Sequence, residues 1–181
     1  PPRPLSPYAV TKVTCEQYLS VFSGVYGLPT VGLRYFNIFG PRQDPNGPYA
    51  AVIPKFVDLL LDGKTPTING DGGQTRDFTY IRNAVLANLA AAENASMASG
   101  EIMNIACGDR ISLNDLYAEI TKLLGIDRAP IHGPERAGDI RDSLADISKA
   151  KELIGYEPEV TWQDGLIDTV EFFKQKHANQ G

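Results

Sequence analysis

Between residues 30 and 176, short β-branched or aromatic runs alternate with longer helical patterns, and this alternation most restricts the possible fold. TVGLRYF (30–36), a stretch near 66–68, DFTY (77–80), EIMNIA (101–106) and 129–132 read as strands. Helical patterns occupy 51–62, 81–95, the segment between Ser112 and Gly125, 146–154 and 162–176. Pro54 is tolerated because it falls in the first turn of its helix. Ahead of them, Ser6 and Pro7 have the chemistry of an N-cap and first helical position, predicting a helix over 8–26 that stops at Gly27 and Pro29. Segments 37–50 and 133–143 read as loops, and GDGG (70–73) as a tight turn. Such a succession specifies an α/β fold.

Length and charge exclude several classes. A chain of 181 residues is expected to form about one domain and to bury a sizeable core. Seventeen Lys and Arg against 22 Asp and Glu leave a net charge of −5, which argues against a nucleic-acid-coating surface or a polybasic membrane anchor. An anionic small ligand, needing only a few local cations, remains compatible. No apolar run approaches the ~18 residues of a membrane span. The first seven residues hold Pro1, Pro2, Pro4 and Pro7 and no apolar stretch of the signal-peptide kind, so the expected compartment is the cytoplasm. Cys15 and Cys107 then read as unpaired, buried thiols. His132 and His177 have no Cys, His or acid at metal-ligand spacing, so no metal site is expected.

The sharpest local feature is Tyr8-Ala-Val-Thr-Lys12. Residues i and i+4 share a helix face, and an ammonium there favours the phenolate, the form a general base needs. Such a pair is also a common surface arrangement on helices that do no chemistry. Arg76 in TRDF offers a fork for a phosphate, or equally a partner for Asp77 or Asp71 on a turn. Arg136 and Arg141 stand among Glu135, Asp139 and Asp142, the pattern of a solvated loop or of an anion grip. Asn37 could equally be a turn-former ahead of Gly40. No glycine-rich dinucleotide fingerprint (strand, G-x-G-x-x-G, helix) occurs in the 181 residues.

Taken in order, SPYAVTK (6–12), GLRYFNIFGPRQDPNGPYAAVIPKF (32–56), GDGGQTRDFTYI (70–81) and ERAGDIRDSLADISKAKELIGYEP (135–158) resemble the C-terminal part of extended short-chain dehydrogenase/reductases acting on nucleotide-diphospho-sugars. Among these the resemblance is closest to bacterial UDP-N-acetylglucosamine 4-epimerases of polysaccharide biosynthesis, and it covers nearly the whole chain. It implies the last elements of a Rossmann-like sheet plus an α/β substrate-binding domain. Residues 1–36 would end the NAD-binding domain, and 37–181 would mainly form the sugar-nucleotide domain, with some elements returning to the sheet. The glycine-rich NAD site and a catalytic Ser or Thr would precede Pro1, making this chain a fragment not expected to retain NAD.

By the same resemblance, Tyr8 would be the acid/base on the sugar 4-hydroxyl, and Lys12 would support it while bonding the nicotinamide ribose. Tyr35 would lie near the cofactor. Asn37 and Gln43 would face the sugar and diphosphate, with Ala51 and Val52 near the nucleotide at a helix N-terminus. Thr67 and Asn69 would meet the uracil, Arg76 and Arg136 would grip the diphosphate, and Asp139 would approach the ribose. Ser143 would sit beside the C2 substituent, its small size admitting an N-acetyl group. The implied activity is interconversion of UDP-GlcNAc and UDP-GalNAc through a 4-keto intermediate, in a homodimer or higher oligomer joined through the helix that bears Tyr8. The alternatives are a dehydratase or decarboxylase of the same family, or a non-catalytic sugar-nucleotide-binding module.

Overall fold

Four two-stranded ladders and six helices make up the structure, a computed structural model that describes residues 2–47, 51–135 and 140–179. Helix α1 (Pro7–Tyr26) starts as its sequence requires. The Ser6 hydroxyl accepts from the Ala9 amide at 3.1 Å, Pro7 occupies the first turn, and Gly27 ends the helix in the left-handed region at φ 64°. Strand β1 (Val31–Tyr35) pairs in parallel with β6 (Glu101–Ile105) along its whole length.

Two regions depart from the expected segments. Strand β2 (Ile38–Phe39) lies inside the stretch read as a loop and pairs in parallel with β5 (Thr79–Tyr80). The strand expected over 77–80 is shortened to β5, and ahead of it an unexpected β4 (Thr75–Arg76) pairs antiparallel with β7 (Ile111–Ser112). Two-residue ladders carry no periodicity, so only their long-range partners define them. Strand β3 (Thr67–Asn69) pairs in parallel with β8 (Ile131–Gly133), each near its expected place.

The helices follow their apolar spacing. Helix α2 (Val52–Leu61) buries Ile53, Phe56, Val57 and Leu60, an i, i+3, i+4, i+7 stripe. Pro54 lies in its first turn, where the N–H has no intrahelical partner to lose. Helix α3 (Ile81–Glu93) turns alanines inward; α4 (Leu113–Leu124) buries Leu116, Tyr117 and Ile120. Ser112 caps α4, its hydroxyl accepting from the Asp115 amide at 3.1 Å and donating to the Asp115 carboxylate at 2.6 Å. Thr161 and Asp164 repeat that exchange at α6 (Trp162–Ala178), and α5 (Ser148–Ile154) precedes it.

One core joins α2, α4 and α6 to Phe39, Phe78 and Tyr80. A second packs α3 and α5 against Met103 and Ile105 of β6, flanked by Val31 and Leu33. Each fully buried Leu, Ile or Phe contributes about 1.5–3 kcal/mol of transfer free energy. Helix α1 buries none of its residues. Cys15 is consequently exposed, and Cys107 is half-buried in the turn after β6, so the expectation of two buried thiols is corrected; both are free. Among the described residues no helix is long and apolar enough to cross a membrane.

Candidate nucleotide-sugar site

A cavity of about 450 Å³ opens between the N-terminus of α2 and strands β2, β3 and β4. Its lining includes Asn37, Gln43, Ala51, Val52, Thr67, Asn69 and Arg76, residues drawn from four separate stretches of sequence. In β3 the alternation of exposure turns Ile68 into the core and leaves Thr67 and Asn69 on the cavity side. Ala51 is the N-cap of α2 and supplies no side-chain acceptor, so the positive end of the helix faces the cavity with no side chain capping it.

Gln43 has the most informative chemistry. Its Nε2 donates to the Ile38 carbonyl at 3.1 Å, which fixes the amide's orientation. Its Oε1 is buried and makes no hydrogen bond. A buried acceptor left unmade costs about 1–3 kcal/mol, and a ligand hydroxyl or N–H in the cavity would recover it. Asn37 stands at φ 37°, a backbone conformation that asparagine tolerates, and its Nδ2 donates to the Asp77 carbonyl at 2.8 Å. It is therefore both turn-former and cavity wall.

Arg76 is half-buried, and its Nη1 donates to the Thr75 carbonyl at 2.7 Å. The two acids offered as its alternative partners are engaged elsewhere. Asp71 meets Arg141 through two hydrogen bonds, 2.8 and 2.9 Å, and this pairing together with the Gly73 amide lowers the Asp71 pKa to about 2. Asp77 is fully buried and accepts from the amides of Cys107, Gly108 and Ala145 at 3.0, 3.1 and 3.4 Å. Burial raises its pKa and these three bonds oppose that rise.

A second cleft, about 500 Å³, lies between α1 and β1 and brings together Tyr8, Lys12 and Tyr35. The Lys12 ammonium sits over the Tyr8 ring, 5.1 Å from its centroid, as i, i+4 spacing allows. Arg34 and Glu16, one helical turn beyond Lys12, form two hydrogen bonds of 2.6 and 2.7 Å on the same wall. Tyr35 is fixed by Asn88 of α3: its hydroxyl donates to Oδ1 or accepts from Nδ2, at 3.0 and 2.8 Å.

Ser143 does not line either space. Its amide donates to the Thr75 carbonyl at 3.2 Å, and the parallel bridge between Thr75 and Asp142 sets it beside β4, opposite Arg76. Arg136 and Asp139 lie outside the described residues. Lys55, Gln74 and Phe78 line the cavity without having been singled out. Val52, Lys55 and Phe56 stand at i, i+3 and i+4, so Lys55 could have been found by helical spacing once α2's N-terminus was implicated. Among the described residues no group of His, Cys, Asp or Glu is arranged to hold a metal.

Residues 1–106 match the NAD dependent epimerase/dehydratase family. The structure superposes with TM-score 0.91 on UDP-glucose 4-epimerase of Thermotoga maritima, solved with UDP-glucose, at 41% identity over 97% of this chain and 55% of that one. A UDP-N-acetylglucosamine 4-epimerase from Methanobrevibacter ruminantium, solved with UDP-N-acetylmuramic acid, gives TM-score 0.88 at 44% identity over 96% of this chain and 55% of that one. A UDP-N-acetyl-α-D-glucosaminuronate decarboxylase of Bacillus cytotoxicus is 37% identical over 93% of this chain and 53% of its own length. The chain thus spans about half the length of the relatives it matches. With this match over more than half its residues and this α/β architecture, the chain belongs to the NAD dependent epimerase/dehydratase family.

Proposed function

We propose that this chain is the substrate-binding and proton-transferring portion of an NAD-dependent UDP-sugar 4-epimerase that interconverts UDP-GlcNAc and UDP-GalNAc. The observation that carries the reading is convergence: seven expected substrate residues share one 450 Å³ cavity, while Tyr8, Lys12 and Tyr35 share a second cleft. Residues 1–36 end the cofactor-binding unit in this reading, and 37–181 chiefly form the sugar-nucleotide unit.

In the cavity, the helix N-terminus at Val52 and the Arg76 guanidinium suit a diphosphate. The orphan Gln43 Oε1 accepts only, so the ligand atom beside it carries a hydrogen, as a sugar hydroxyl or an N-acetyl N–H does. Thr67 and Asn69 are left for the base, and Arg136 and Asp139 extend the grip to diphosphate and ribose.

The open cleft offers the Tyr8 hydroxyl and the Lys12 ammonium from one helix face, a donor set that fits the ribose and nicotinamide end of NAD. When bound, NAD supplies the hydride acceptor and the returning hydride. Tyr8 takes the proton of the sugar 4-hydroxyl as C4 is oxidised, and returns it after the 4-keto sugar has presented its other face. Lys12, whose ammonium sits over the Tyr8 ring, would hold the cofactor's ribose. The 181-residue chain by itself is expected neither to turn over UDP-sugars nor to retain NAD, because it has no glycine-rich loop for the pyrophosphate.

The test is a chimera that supplies an N-terminal half from a homologous 4-epimerase, offered UDP-GlcNAc. UDP-GalNAc is the expected product, and, if Ser143 stands beside the C2 substituent as the resemblance implies, Ser143→Tyr shifts kcat/KM toward the non-acetylated pair. The similarity to a decarboxylase keeps one second reading, a dehydratase or decarboxylase of the same family. A 4-keto-6-deoxy product, or carbon dioxide released from a UDP-hexuronic acid, would select it.

A further inference from the structure

Asp77 lies between two residues that line the cavity, Arg76 and Phe78, yet its own carboxylate is entirely buried. It takes its three hydrogen bonds from backbone amides: Cys107 at Oδ1, Gly108 and Ala145 at Oδ2. Gly108 is left-handed at φ 72°, a conformation in which successive amides can turn toward one anion. The Asp77 carbonyl, in addition, receives the Asn37 amide at 2.8 Å. One residue thus joins the turn after β1, the turn after β6, and the segment 140–147 that carries Arg141 and Ser143.

We propose that Asp77 is a positioning residue, whose carboxylate sets where the segment 140–147 stands beside β4 while its carbonyl holds the Asn37 side chain in the cavity wall, and thereby how the sugar half of the ligand is held. The proposal rests on the nucleotide-sugar reading of the cavity. Its geometric basis is that the segment is held at its leading end by Thr75, with Arg141 and Ser143 (2.9 and 3.2 Å) and with Asp142 (2.7 Å), and by Asp71 through the Arg141 fork. The Ala145 bond to Asp77 and the Asn104 amide on the Asp146 carbonyl, 3.0 Å, hold the other end. A buried carboxylate satisfied by three amides cannot be exchanged for a neutral amide without turning an N–H toward an N–H.

The experiment compares the chain with Asp77→Asn and with Ala145→Pro, the latter removing one donor while leaving the carboxylate intact. Tryptic cleavage after Arg141 under native conditions should rise about ten-fold in both variants, with cleavage after Lys174 on α6 unchanged. Calorimetric titration should show affinity for UDP-GlcNAc falling about ten-fold while affinity for UDP changes less than three-fold. That altered ratio is what a merely structural role would not produce. Unchanged cleavage at Arg141, an equal rise at Lys174, or equal loss of both affinities would overturn the proposal. If the unaltered chain binds neither nucleotide, the reading of the cavity fails and the assigned role in holding the sugar fails with it. The cleavage rates then still decide whether Asp77 holds the segment.

Discussion

The Arg34 guanidinium closes on the Glu16 carboxylate through two hydrogen bonds of 2.6 and 2.7 Å, and this fork ties α1 to β1. The helix buries no side chain of its own, and its other hydrogen bonds among the described residues are few: Ser23 with Ser99 at 2.6 Å, Thr30 with the Leu19 carbonyl at 2.7 Å and Ser20 with the Gly100 carbonyl at 3.4 Å. The pairing lowers the Glu16 pKa and raises that of Arg34, each through the hydrogen bonds first. Since Glu16 is one turn from Lys12 and two from Tyr8, the fork also sets where the candidate acid/base stands relative to Tyr35.

Glu16→Gln therefore tests local against global stability. The partly exposed pair is worth no more than about 1 kcal/mol to the whole fold, because solvent screens it. Hydrogen exchange along α1 should accelerate while the amides of α4 and α6 stay protected. Loss of protection in all three helices together would refute this division.

Gly165 on α6 sets two effects of opposite sign against each other. A helix interior prefers alanine over glycine by about 1 kcal/mol. A Cβ there would fall 2.5 Å from Cγ and Cδ2 of Tyr80, at the rooted end of a ring that cannot swing away. Overpacking of this kind costs about 1–3 kcal/mol, so Gly165→Ala should lower Tm rather than raise it. Thermal unfolding followed by circular dichroism decides the sign.

Asp71 should titrate far below an ordinary carboxylate. Its pKa stands at about 2 against an ordinary 3.8, so whatever the Arg141 contact adds to stability is fully present above about pH 4. It is lost as pH falls through about 2, where the folded-state carboxylate gains its proton. Carboxyl-carbon NMR should find the midpoint there, and Arg141→Gln should move it back up. A midpoint near 3.8 in the unaltered chain would show that the pair does not persist in solution.

Tyr18, Val21, Phe22, Val25 and Tyr26 leave an apolar face of α1 in solvent. A contiguous patch of this kind marks an interaction surface. Sedimentation at micromolar concentration should show a dimer or larger, and Phe22→Glu should shift it toward monomer. A monomeric unaltered chain would contradict this.

Much of the fold was legible from periodicity. Strand β1, α2, α3, α4 and α6 lie within a few residues of their expected places, because apolar spacing and the caps at Ser6, Ser112 and Thr161 act locally. The pairs β2–β5 and β4–β7 were not legible, since two residues of ladder depend on partners some 40 positions away. Burial of Cys15 failed as an expectation for a related reason: an apolar helix pattern says that a face can be buried, and on α1 no face is. For the site, Tyr8 and Lys12 were readable by spacing alone. That Asn37, Gln43, Thr67 and Arg76 meet followed from family resemblance, and the orphaned Gln43 Oε1 required coordinates.

The cavity between α2 and β2–β4 should receive a uridine diphosphate. Titration of the ¹⁵N-labelled chain with UDP tests it directly, read at the amides of Asn37, Gln43, Val52, Asn69 and Arg76. Saturable shifts are expected at these positions, with a dissociation constant about ten- to a hundred-fold weaker in Arg76→Gln, as the loss of charge-assisted hydrogen bonds to phosphate requires. Absence of saturable shifts there, or shifts confined to Tyr8, Lys12 and their cleft, would contradict it.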